Sequence, residues 1–180
     1  MSNSDKRDSD SDKRASDSEQ GSAPTPGATF VICEDGREYL DRFERAFGAA
    51  FRFVRAGDVA EARAALAAGA VAAVLLDLDF RRTPGEALID EGGASGAPRP
   101  DSERRRLAAT QGILILRALR VSGVTCPALL FADLDDPGQV AFLESSLAPL
   151  SVVPSSAGAR DLARRLEDLA RPLPARAAAT

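Results

Sequence analysis

Two pairs of carboxylates sit where chemistry could occur. Glu34 and Asp35 end the stretch FVICED, and Asp77 and Asp79 end the stretch AAVLLDLDF at 72–80. Each pair follows an apolar run. In a strand, Asp77 and Asp79 point to the same face, because the side-chain period is two. Like charges at the end of a buried strand are unfavourable unless something positive shares the site. A hard divalent cation such as Mg²⁺ is the natural partner, since it takes oxygen ligands and keeps several waters. The plainer alternative is that Glu34, Asp35 and Asp79 only cap loops and the helices that follow, which leaves unexplained why both strands end acidic.

Composition removes most other chemistries. The chain has no histidine, which excludes Ser-His-Asp and Cys-His catalysis, His-ligated zinc and any phosphohistidine role. Cys33 and Cys126 are far apart, lie in apolar surroundings and read as buried core thiols. Lys6 and Lys13 are the only lysines, so 21 of the 23 basic residues are arginine. A net charge of −4 with interspersed signs gives no basic footprint for nucleic acid. No apolar run approaches the roughly 20 residues that span a bilayer, and the polar N-terminus has no signal-peptide core. A soluble, cytoplasmic protein is expected.

The elements that must position these carboxylates alternate. Residues 1–28 carry the near-repeat SDKRDSD–SDKRASD and then GSAPTPG, with nothing to form a core, and are expected to be a disordered tail. From residue 29, ATFVI predicts a strand, and REYLDRFERAF a helix with Leu40, Phe43 and Phe47 at helical spacing. FRFV is a second strand; Asp58 can cap the helix VAEARAALAAG, which Gly69 ends. VAAVLLDL, apolar throughout, predicts a strand covered on both faces. QGILILRALRVSG is a third helix, CPALLFADL a fourth strand and LSVVP a fifth. Asp136-Pro137 offers a cap and first-turn proline for GQVAFLESSLA, with Val140, Leu143 and Leu147 inward. ARDLARRLEDLA, with the stripe Leu162, Leu166 and Leu169, closes a domain at 29–171, and 172–180 is a short tail. Strands alternating with helices imply an α/β fold: a doubly wound, five-stranded parallel sheet. Residues 81–110 break the rhythm as a long Gly/Pro/charge-rich insertion loop between the third strand and third helix. Arg104, Arg105 and Arg106 within it read as a solvated helix start.

In order and spacing, FVICEDGREYL, AAVLLDL, QGILILRALR, PALLFADLDDPG and PLSVVP resemble the receiver (CheY-like) domains of two-component response regulators. The resemblance implies a flavodoxin-like strand order of 2-1-3-4-5. It also implies Asp77 as phosphoacceptor, with a histidine kinase or a small phosphodonor as source. Mg²⁺ would be bound, weakly here, by Asp35 and Asp77, by Glu34 through water and by the backbone carbonyl of Asp79. Phosphoryl transfer of this kind is mostly positioning and electrostatic stabilisation.

Three positions depart from the family pattern. Ala132 stands where receivers carry Ser or Thr, Val153 where they carry the Lys before the fifth-strand proline, and Leu150 where they carry an aromatic residue. The lost lysine would forgo a charge-assisted contact of about 1.5–3 kcal/mol to an acyl phosphate. The lost hydroxyl and aromatic residue remove the usual relay. A degenerate, pseudo-receiver variant is therefore expected. It is not an enzyme, and it acts in a two-component-type pathway by binding a histidine kinase or a downstream effector, with weak or no phosphorylation at Asp77. The segment after 171 is too short for an output domain, so binding is its expected output. Two other classes fit more loosely: a Toprim-like Mg²⁺-dependent nuclease or primase core, in which the Asp79 side chain is a ligand, and a haloacid-dehalogenase-like phosphatase.

Overall fold

The apolar runs alternate with amphipathic ones because each must bury its face against another layer. The computed structural model describes residues 27–94, 96 and 99–171. Apart from Gly27 and Ala28, the tails expected at 1–28 and 172–180 lie outside the described residues. The chain runs β1 (Thr29–Cys33), α1 (Glu38–Phe47), β2 (Arg52–Ala56), α2 (Val59–Ala67) and β3 (Val71–Asp77). It continues through β4 (Ile89–Asp90), β5 (Gly93–Ala94), α3 (Asp101–Ala108) and α4 (Gln111–Val121). It closes with β6 (Ala128–Phe131), α5 (Pro137–Ser146), β7 (Leu150–Val153) and α6 (Ala159–Ala170). Five strands make one parallel sheet in the order β2-β1-β3-β6-β7, the crossover order expected.

The sheet separates two cores. Val31, Cys33, Val74, Leu76 and Leu130 pack against α2, α4 and α5. Phe30, Ile32, Leu75, Leu129, Phe131 and Val153 pack against α1 and α6, where Leu162 and Leu166 of the expected stripe are buried and Leu169 is partly so. β3 is buried on both faces, which explains its unbroken apolar run. Local caps follow the sequence. Asp58 accepts from Glu61 N at 2.8 Å while Glu61 accepts from Gly57 N, a reciprocal cap on α2. Asp136 accepts from Gly138 N at 2.8 Å, with Pro137 opening α5.

The insertion is not a bare loop. It contains the β4–β5 hairpin and α3, and Phe80, Leu88, Ile89, Leu107 and Ala108 within or beside it are buried in the α2/α4/α5 core. Arg104, Arg105 and Arg106 lie inside α3. Two polar side chains fix the hairpin. Arg99, 5% exposed, donates to Asp90 at 3.0 Å and to Glu103 at 2.9 Å. The buried Gln111 amide both donates to and accepts from the Ile89 backbone, at 3.2 and 3.1 Å. Composition hid this structure because apolar pairs only two residues long carry no period. Cys33 is buried, with its thiol pushed up to about 12 mainly by burial; Cys126 is only half-buried rather than a core thiol.

Candidate functional site

Asp77 is the last residue of β3, in register with Phe131 of β6, which is in register with Val153 of β7. In-register residues of a parallel sheet share a face, so Asp77 stands at the end of a row that continues through Phe131 and Val153. That row faces α1 and α6. Tyr39 of α1 stacks on Phe131 with ring centroids 4.9 Å apart, and Phe131 and Val153 are fully buried. The flank of Asp77 is therefore aromatic and aliphatic. Its carboxyl is pushed up to about 6, first by burial and then by the negative charges of Asp35 and Asp79. The backbone N–H groups of Asp79 and Leu78 act in the opposite direction.

Close approach of the chain holds this end of β3. A Cβ on Gly112, at the start of α4, would lie 2.0 Å from the Asp77 carbonyl oxygen, and Gly112 N donates to Leu78 O at 3.2 Å. Glycine is required there by space.

The four carboxylates separate into two roles. Glu34 is 1% exposed, and its two oxygens accept from Tyr39 N and Leu40 N, each at 2.9 Å. These are first-turn amides of α1, whose own N-cap residue, Arg37, supplies no side-chain acceptor. Glu34 thus caps a helix, as the plainer alternative had it. Asp35, Asp77 and Asp79 line an open cleft together with Glu38, Arg81 and Arg82. Asp35 accepts from the Arg82 backbone N–H; the Arg82 guanidinium pairs with Glu38, and Arg81 Nε contacts Asp79 Oδ2 at 2.6 Å. Arg82 holds the Glu38 carboxyl down, at about 2. The other Asp79 oxygen, Oδ1, is buried with no hydrogen-bond partner. Arg55 of β2 fixes the acidic loop, donating to the carbonyls of Glu34 and Gly36.

Among the described residues, no three metal-ligating side chains converge on one point. Asp35 and Asp77 suit a hard cation by donor type and by their mutual repulsion. Glu34 does not fit, because the α1 amides hold it. Ala132, Leu150 and Val153 are all buried in apolar surroundings, and Ala132 N donates to Val153 O at 3.0 Å. Beyond β7, the chain is tied down by Arg42, which donates to the carbonyls of Ser155 and Ala157, and by Asp133, which accepts from Ser155 N. Sequence reasoning missed Glu38, Arg81 and Arg82. The Arg-Arg step two residues past Asp79 and an acid one helical turn past Asp35 were the available signals.

No family model matches the sequence, and no curated protein matches it. Solved structures do. The receiver domain of a Francisella response regulator is similar over 80% of this chain and 97% of its own, at 14% identity and a TM-score of 0.56. That of the putative response regulator NarL from Mycobacterium tuberculosis covers 81% and 98%, at 18% identity and 0.55. Chemotaxis protein CheY4 of Vibrio cholerae covers 79% and 98%, at 12% identity and 0.55. The five-stranded parallel sheet and its strand order thus agree with solved neighbours, and this chain has the fold of response-regulator receiver domains.

Proposed function

We propose that this chain is a receiver-like signalling domain that acts by protein–protein association, with Asp77 a poor phosphoryl acceptor or none. The observation that carries this reading is the row Asp77–Phe131–Val153. An acyl phosphate on Asp77 would carry more negative charge than the carboxylate it replaces. It would face buried Phe131, Val153 and stacked Tyr39 rather than a cation. Arg42, on the same side of the sheet, is already engaged with two carbonyls.

Asp35 and Asp77 are the residues that would hold Mg²⁺, weakly, and the ion would offset their mutual repulsion. Arg81 pairs with Asp79, and Arg82 pairs with Glu38 and also lies near Asp35, so neither makes an ion pair with Asp77. With Ala132 and Leu150 in the positions of the family's relay, a modified Asp77 has no differential contact to transmit, and a ligand without differential contacts shifts no equilibrium. The partner fits a kinase or an effector of a two-component-type pathway.

The test is treatment with a small phosphodonor and Mg²⁺, followed by intact mass of the parent, Asp77→Asn and Ala132→Thr/Val153→Lys proteins. The parent should gain little or no phosphate, and the double variant should gain more at Asp77. Stoichiometric phosphorylation of the parent at Asp77 would refute the proposal.

A further inference from the structure

We propose that the trough between the β4–β5 hairpin, α4 and α5 docks an acidic amphipathic helix of a partner protein. The inference deepens the protein-binding role and rests on it, but not on the chemistry of Asp77. Two adjoining cavities of about 580 and 530 Å³ share Leu114, Arg117, Phe142 and the hairpin turn at 90–92. Phe142 is 61% exposed and Val121 90% exposed, the two exposed large apolar side chains among the described residues. Both line the second cavity. A single exposed apolar side chain needs no explanation, but two flanking one trough form a patch of the kind that marks an interaction site.

Charge selects the occupant. Glu91 is paired with Arg117 at 3.1 Å, and Asp90 with Arg99 at 3.0 Å. Arg106 lines one end of the trough and Arg63 the other, and neither has a carboxylate partner among the described residues. Arg63 donates to Ala118 O and Ser122 Oγ at the C-terminal end of α4, whereas Arg106 lies just before its N-terminus. The length of α4 between them is about 16 Å, three helical turns. A helix of that length with apolar anchors at i, i+4 and i+7 and a carboxylate near each end matches trough and rim together.

Neither tail of this chain has that chemistry. Residues 2–26 contain no Val, Leu, Ile, Met or aromatic residue, and 172–180, PLPARAAAT, contain no acid. The proposed occupant is a helix of a partner protein.

Random peptides of about 14 residues, displayed on phage, are panned against the full chain, and the enriched peptides are labelled for anisotropy titration. Acidic sequences with helical apolar spacing are expected. Phe142→Asp should weaken them at least about tenfold, as for an aromatic hot spot. Arg63→Glu/Arg106→Glu should weaken them as well, and Asp77→Asn should leave them unchanged. Circular dichroism confirms that each variant is folded. The proposal is overturned if no peptide is enriched, if the enriched peptides are basic or lack the period, or if Phe142→Asp has no effect. A dimer in sedimentation that Phe142→Asp dissolves would assign the trough to a second copy and overturn it too. Phosphorylation of Asp77 bears only on the preceding proposal, so the two can fail separately.

Discussion

Replacing Asp77 by Asn should stabilise the protein above neutrality and leave it nearly unchanged near pH 4. The folded carboxyl is pushed up to about 6 from 3.8, so the native state holds a proton that the unfolded chain has already lost across that interval. Stability from this group is full below about pH 4 and is lost as pH rises through 6. Two pH units correspond to about 3 kcal/mol. Asp77 is only partly buried, and solvent screening reduces that to about 1–2 kcal/mol. For a domain of this size the difference is about 3–8 °C in Tm.

The assay is thermal or urea unfolding of parent and Asp77→Asn from pH 4 to pH 8 in chelator. The gap should open between about pH 4 and pH 6 and reach a plateau above neutrality. Subtracting the variant from the parent cancels every other titrating group that the two share. Millimolar Mg²⁺ should narrow the gap at pH 8 by stabilising the parent alone, if Asp35 and Asp77 bind it. A gap of the same size at every pH, or a variant less stable than the parent at pH 8, would refute the account of Asp77 as an under-compensated carboxylate.

Three further outcomes test the frame around the site. Glu34→Ala should destabilise by about 2–4 kcal/mol in urea denaturation, because two buried hydrogen bonds from α1 amides to a carboxylate are lost; a change under 0.5 kcal/mol would mean that water replaces the cap. Gly112→Ala should lower stability by about 1–3 kcal/mol or more, since its Cβ meets the Asp77 carbonyl at 2.0 Å, and amide exchange around 77–79 should rise with it. Leu166→Ala should cost about 2–5 kcal/mol, given full burial against the sheet; a loss below 1 kcal/mol would place that face of α6 outside the core.

The alternation of five strands with helices was legible because each large element carries its own period, and the strand order followed from the resemblance to receiver domains. VAAVLLD could only be a doubly covered strand, and Leu162 and Leu166 one face of a helix. The hairpin at 89–94 was not legible. Its strands are two residues long, and what holds them is Arg99 reaching back to Asp90 and Gln111 matching the Ile89 backbone, both through space. The acidic site was legible as composition and not as geometry. Asp35 and Asp77 do share a cleft, whereas Glu34, one residue from Asp35, turns inward to cap α1. That division depends on the path of the β1–α1 loop, which Arg55 of β2 holds by two carbonyls.

On the proposed reading, the cleft is balanced from the wrong side for phosphoryl chemistry. Arg81 and Arg82 come from the insertion and pair with Asp79 and Glu38, and a pair as exposed as Arg82–Glu38 contributes little. Asp77, partly buried, ends the row that continues through Phe131 and Val153, and burial already raises its carboxyl, so each added negative charge there is unfavourable. On that reading, pairing Asp79 and Glu38 does not bring a cation to Asp77. A cation reaching Asp77 from β7 would make the acceptor easier to modify, and Val153 leaves that position apolar. The same insertion that brings Arg81 and Arg82 to the acidic end also builds the hairpin wall of the trough beside α4. The part of this chain that departs most from a plain five-stranded receiver fold is thus the part that supplies new surface, which is where a domain signalling by contact rather than by phosphate would place its specificity.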